Sequence, residues 1–204
     1  MSIIIDSNSE TNQNYYYGIY DSYGEGYKEV GQSFTGTTAT LDSAKWYLQR
    51  FRNPTGNLVA KIYNHSGTFG TSSLPTGTAL ATSGTVLCSS VSTSAFGLVT
   101  FTFTGANAIT LIDGTKYVVT INAGSASTGP IDYIRVGSGP NTHSGNGSYD
   151  DATWKVLTGT ADFCFYVYGT PILTHVRTQI GSNRTLASRT LADRTIIDSD
   201  RAAI

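Results

Sequence analysis

The sequence predicts an all-β protein: a two-sheet antiparallel β-sandwich with an extended amino-terminal segment and a carboxy-terminal arm. Three observations point there. Charged residues make up only 13% of the chain while glycine (22) and aromatic residues (11%) are plentiful, a composition that suits strands and turns and is poor for helices. Apolar residues recur with period two in five stretches, the mark of half-buried strands. Turn residues separate those stretches. At 204 residues the chain fits one domain plus extensions, large enough to bury a core without disulfides or metal.

Residues 1–29 precede the first clear strand. "NYYYGIYDSYGEGYKEV" holds six of the thirteen tyrosines, Tyr15, Tyr16, Tyr17, Tyr20, Tyr23 and Tyr27. Tyrosine is enriched at protein interfaces, where its ring buries area and its hydroxyl still finds a partner. Two readings stand side by side: an assembly segment, or alternate rings covering the first strand of the sandwich.

The sandwich itself is expected over residues 30–170. "SAKWYLQRF" places Ala44, Trp46 and Leu48 on one face and Lys45, Tyr47 and Gln49 on the other. "NLVAKIY" does the same with Leu58, Ala60 and Ile62. "LVTFTFT" sets Val99, Phe101 and Phe103 against threonines, "KYVVTIN" aligns Tyr117, Val119 and Ile121, and "DFCFYVYG" aligns Phe163, Phe165 and Val167. Weaker strands are read at "GQSF", "TALATSGTVL", "AITLI" and "DYIRVG". That many antiparallel strands with one apolar face each must stack as two sheets. Asn53-Pro54-Thr55-Gly56 and Asp113-Gly114 read as hairpin turns between their flanking strands. Residues 64–79 and 138–153 read as long polar loops, where a sandwich commonly keeps its binding surface.

Cys88 and Cys164 are too few for a disulfide framework and lack zinc spacing, so both read as small buried side chains. The start "MSIIIDSNSETNQ" has no basic flank and only a short apolar run, and no stretch approaches the ~18 apolar residues of a membrane span. The expectation is a protein made in the cytoplasm without a signal peptide. The net charge of −1 gives no basic field for nucleic acid.

From Gly31 to Gly169, the succession "GQSFTG", "WYLQRFRNPTGNLVAKIYN", "GTALATSGTV", "LVTFTF", "ITLIDGTKYVVTI" and "FYVYG" resembles a jelly-roll accessory domain of the choice-of-anchor type, found in bacterial surface proteins and in phage or metagenomic virion proteins. The resemblance implies a two-sheet sandwich without catalytic residues of its own, joined to differing terminal anchors. It names no ligand and transfers no functional residue.

The chemistry-bearing residues are sparse. His65, His143 and His175 sit in separate polar segments with no hydrolase, metalloprotease or nucleotide motif around them, so no enzyme is expected. Asp150-Asp151 has the oxygen donors for calcium, but a solvated acidic turn is the preferred reading, and no cofactor is expected. Tyr149 and Trp154 flank that turn; they read either as packing anchors or, together with Asp150 and Asp151, as a glycan platform.

Residues 171–204 form the predicted arm. "NRTLA", "SRTLA" and "DRTII" are three five-residue units that place Leu186, Leu191 and Ile196 fourth, and arginine recurs at Arg177, Arg184, Arg189 and Arg194. Five is odd, so neither a flat strand nor a helix gathers these apolar residues on one face, and three units are too few for a solenoid. The preferred reading is an extended arm ordered by a neighbouring subunit, with arginine forks clamping partner carbonyls or carboxylates. Cyclic self-association, a trimer for example, would give the repeats symmetric partners.

Together these readings lead to an expected function: a non-enzymatic structural protein of a virion or similar extracellular assembly (head decoration, head fibre or tail-associated piece), self-associating through its terminal segments. The rival is an adhesion module recognising a cell-surface glycan.

Overall fold

The computed structural model describes residues 1–20, 27–123, 131–140, 142–157 and 161–172. Among them Met1–Ile172 is one compact unit of antiparallel strands with three short 3-10 turns, and no helix is long and apolar enough to cross a membrane. In chain order the strands are β1 (Ile3–Asn8), β2 (Tyr15–Ile19), β3 (Glu29–Thr35), β4 (Ala39–Phe51), β5 (Asn57–Ser66), β6 (Leu74–Thr82), β7 (Val86–Leu87), β8 (Gly97–Thr102), β9 (Thr110–Leu111), β10 (Lys116–Asn122), β11 (Tyr133–Pro140), β12 (Gly147–Asp150), β13 (Trp154–Val156), β14 (Ala161–Phe163) and β15 (Phe165–Pro171).

They form a two-sheet sandwich. Sheet A has eight strands along the path β1-β15-β4-β11-β14, with β2 on β11 and β8 and β9 on β4. Sheet B has seven along β13-β12-β3-β10-β5-β6, with β7 on β5. The alternation read in the sequence becomes the core: Ala44, Trp46 and Leu48 from β4, Leu58, Ala60 and Ile62 from β5, Val119 and Ile121 from β10, and Phe163, Phe165 and Val167 are all fully buried. Trp46 lies between Phe163 (6.0 Å, edge-on) and Phe165 (6.3 Å), so the aromatic centre of the core belongs to sheet A.

Three irregularities shape sheet A. The pairing of β4 with β15 slips at Asp42, so Leu41 and Ala44 both face inward although three residues apart. Asp42 is fixed there by Thr170 Oγ1, which donates to its Oδ2 at 2.8 Å. At Cys164 the last strand changes partner: β14 pairs with β11, β15 pairs with β4, and the Cys164 N–H donates to the Gly137 carbonyl. A similar slip between Ile4 and Asp6 turns the Asp6 side chain toward sheet B.

The structure corrects the two predicted hairpins. β4 and β5 flank Asn53–Gly56 but belong to sheets A and B, as do β9 and β10 around Asp113-Gly114. Both turns form as their residues require, with Gly56 at φ 91° and Gly114 at φ 72°. They reverse the chain between the sheets instead of within one, because turn chemistry fixes a local bend and leaves the strand partner to distant contacts. The long loop expected over 64–79 is shorter, since β5 and β6 continue their ladder to Ser66 and Leu74. The segment 1–29, for which an assembly role and packing on the sandwich were both open, supplies β1 and β2 to sheet A.

Candidate functional site

β2 carries the tyrosine cluster to the rim of the sandwich. Among the described residues it pairs with β11 on one side and meets only Tyr27, bridged to Ile19, on the other. Alternation points Tyr15, Tyr17 and Ile19 to the inside and Tyr16 and Gly18 to the outside. Ile19 is fully buried and Tyr17 packs edge-on against Phe163 at 5.5 Å. Tyr27 leans on Tyr17 (6.0 Å) and on Tyr149 (4.5 Å), so three rings bridge the gap between β2 of sheet A and β12 of sheet B. Burial pushes the Tyr17 and Tyr27 hydroxyls up from the ordinary tyrosine value, with neighbouring rings adding to the shift. Tyr15 stays 60% exposed, stacked on Tyr16 (5.9 Å) and edge-on to Tyr17 (5.4 Å).

Two open hollows lie along this rim. One, of about 370 Å³, is lined by Gly18 and six tyrosines: Tyr15, Tyr16, Tyr17, Tyr20, Tyr27 and Tyr133. The next, of about 300 Å³, shares Tyr15 and Tyr17 and adds Asn14, Gly139, Pro140 and Ala161.

On the outer face of sheet A the aromatic surface continues. Arg135 of β11 is stacked by Tyr16 (4.6 Å) and Phe51 (4.4 Å), and its Nη1 donates to Gln49 Oε1 at 3.0 Å. Phe96 joins Tyr16 (6.3 Å) to Tyr47 (5.3 Å), and Tyr133 joins Phe51 (4.9 Å) to Tyr20 (5.8 Å). Tyr166 and Tyr168 of β15 stack at 6.1 Å, with Lys45 over Tyr168. Gly18 belongs to this packing, because a Cβ there would meet the Tyr133 ring at 3.0 Å.

The proposed glycan residues divide between two faces. Tyr149 points inward to Tyr27 and the core, whereas Trp154, opposite Asp150 in the β12–β13 hairpin, lies on the outer side of sheet B against Tyr63 (6.4 Å). Asp150 Oδ1 accepts from the Ala152 N–H at 3.0 Å and Asp151 pairs with Lys155 at 2.8 Å. Among the described residues no group of three or more His, Cys, Asp or Glu could hold a metal ion. Tyr23, His175 and the arm residues Arg177, Arg184, Leu186, Arg189, Leu191, Arg194 and Ile196 lie outside the described residues.

Sequence reasoning missed a polar network that ties the sheets together. His143 Nε2 and Asp6 Oδ1 are 3.0 Å apart, and His143 Nδ1 accepts from the Gly145 N–H at 3.0 Å. Gln32 Nε2 donates to Asp162 Oδ1 (2.9 Å), Gln32 Oε1 accepts from the Phe163 N–H (3.0 Å), and Asp162 Oδ2 accepts from the His143 N–H (2.9 Å). Both ring nitrogens of His143 are therefore occupied by the fold, so this His–Asp pair works as a clamp and has no nitrogen left for a nucleophile. The members are scattered along the chain and carry no local motif. Arg135 and Tyr133 had a readable signal, since "DYIRVG" alternates them against Ile134 and Val136.

No protein-family model matches the chain, and no curated protein shows significant similarity to it.

Proposed function

We propose that this chain is a non-enzymatic structural protein of a virion or similar extracellular assembly, one that associates with copies of itself. The observation that carries this reading is the outer face of sheet A. A solvated sheet face normally presents polar side chains; this one presents Tyr16 and Tyr133 against Arg135, Tyr47 beside Phe96, and the stacked pair Tyr166 and Tyr168. Aromatic residues and arginine are the types enriched in protein–protein interfaces and in their energetic centres. The Arg-Thr repeats of residues 177–197 add a basic, β-prone arm to a remainder of the chain that is net acidic. Resemblance to the choice-of-anchor jelly-roll domains of phage and surface proteins agrees with this role.

Light scattering over a concentration series tests it. The full chain is expected to form a defined oligomer or filament, the Tyr47→Glu/Tyr168→Glu variant to fall to monomer while keeping its β spectrum, and a chain ending at Thr174 to associate more weakly. A full chain that stays monomeric at every concentration overturns the reading.

A further inference from the structure

We propose that the rim hollows between Asn14 and Tyr27 form a binding site for a neutral oligosaccharide lying along β2. This goes beyond the assembly reading and does not depend on it.

The lining sets the ligand class. Among the described residues, tyrosines, glycines, Asn14, Pro140 and Ala161 line the two hollows, and none of these carries a charge that would offset the desolvation of an ionic ligand. The two hollows, about 370 and 300 Å³, share Tyr15 and Tyr17, which makes one groove in two compartments, suited to a chain of repeating units. Each compartment offers ring faces, which accept the apolar C–H face of a pyranose, beside phenolic hydroxyls, which both donate and accept.

The hydrogen-bonding groups are free to meet such a ligand. Among the described residues no group bonds the hydroxyls of Tyr15, Tyr17 or Tyr27. Because burial raises the Tyr17 and Tyr27 hydroxyls, they remain protonated donors well above neutral pH.

A peptide is the competing occupant, because among the described residues the edge of β2 away from β11 is met only by Tyr27. The groove favours sugar: its unmet groups are side-chain hydroxyls set between rings, matching a ligand whose every unit carries an apolar face and several hydroxyls. A strand-adding peptide would use the backbone edge and leave them unmet.

The test is calorimetric titration of the full chain with neutral hexasaccharides of glucose, galactose and mannose in α and β linkage. At least one is expected to bind at millimolar concentration or tighter. Tyr15→Ala, at an exposed ring whose loss spares the core, is expected to weaken it about tenfold or more, equivalent to about 1.4 kcal/mol. Tyr15→Phe should lie between, and Trp154→Ala should bind like the parent. Absence of binding by every hexasaccharide, loss of binding in Trp154→Ala but not in Tyr15→Ala, tighter binding of an acidic hexauronate, or binding of a proline-rich decapeptide in place of all sugars each overturns the proposal. Light scattering on the same samples separates the two readings: a sugar-binding monomer removes only the assembly role, and an oligomer that binds no sugar removes only this site.

Discussion

His143 Nε2 donates to Asp6 Oδ1 at 3.0 Å across 137 residues of sequence, tying β1 of sheet A to the loop that precedes β12 of sheet B. The proton's position follows from the other ring nitrogen: Nδ1 accepts from the Gly145 N–H, so the hydrogen resides on Nε2. Asp6 also accepts from the backbone N–H groups of Thr35 and Ser7. Burial alone would raise its pKa, but the His143 bond and these backbone donors outweigh it and hold the carboxyl below its ordinary value.

Asp6→Asn is therefore expected to destabilise the fold by about 1–3 kcal/mol at neutral pH, the cost of leaving buried donors without their acceptor. A carboxyl lowered in the folded state stabilises above its unfolded pKa, and that contribution is lost as pH falls through the lower folded value. Urea midpoints measured down the acid limb should fall less steeply in Asp6→Asn than in the parent. Asp162 acts with opposite sign: burial, the largest influence, raises its pKa, so its contribution favours the fold at low pH and is lost as pH rises through the folded value. Asp6 and Asp162 together should flatten the parent's profile relative to a chain keeping Asp6 alone.

Ala152 sits in the β12–β13 turn at φ 109°, a left-handed geometry that a side chain resists. Ala152→Gly should relieve that strain and raise stability by about 0.5–1 kcal/mol, read as a higher urea midpoint with an unchanged slope. A loss of stability would show that the turn gains more from the Ala152 methyl than it loses to its backbone.

Gly145 has the opposite requirement. A Cβ there would lie 2.0 Å from the Ser33 carbonyl oxygen, a backbone atom of β3 that cannot yield. Gly145→Ala should cost about 1–3 kcal/mol or more by forcing the loop off β3, and thermal melting should show it. The same change at Gly77, where a Cβ meets nothing within 4 Å, would retain only the backbone cost of its φ of 71°.

Both cysteines are free and buried, and burial pushes the Cys164 thiol up to about 12 and raises that of Cys88. With so little thiolate at neutral pH, both should react slowly with a thiol reagent in the native protein and at once in denaturant. Fast native labelling of Cys164 would mean that the β14–β15 junction opens readily.

What the sequence made legible follows from what it encodes locally. Ala44, Trp46 and Leu48, or Leu58, Ala60 and Ile62, announce burial directly, since alternation is the imprint of a strand with one wet face. The partner of a strand has no such imprint: Pro54-Thr55-Gly56 and Asp113-Gly114 bend the chain as read, yet each bend crosses between sheets. β1 was illegible because "IIIDSN" does not alternate, and the slip beside Ile5 explains why. The tyrosine cluster was visible, but its division into an inward rim of Tyr15, Tyr17 and Tyr27 and an outward face led by Tyr16 depends on where β11 and β12 lie. The Asp6–Gln32–His143–Asp162 network was invisible because its meaning exists only in three dimensions.

The change of partner at Cys164 also bears on how the chain acquires its shape. β15 lies between β1 and β4, so β1, made first, and β4, made early, stay apart until β15, the last of the described strands, is synthesised. During translation β1 has no partner, β4 has an unpaired ladder over residues 39–46, and the Trp46 pocket lacks Phe163 and Phe165. Closure of such distant contacts is slow. In that interval the growing chain is open to capture by a neighbour's β15, and crowded synthesis should yield strand-exchanged pairs that dilute synthesis does not.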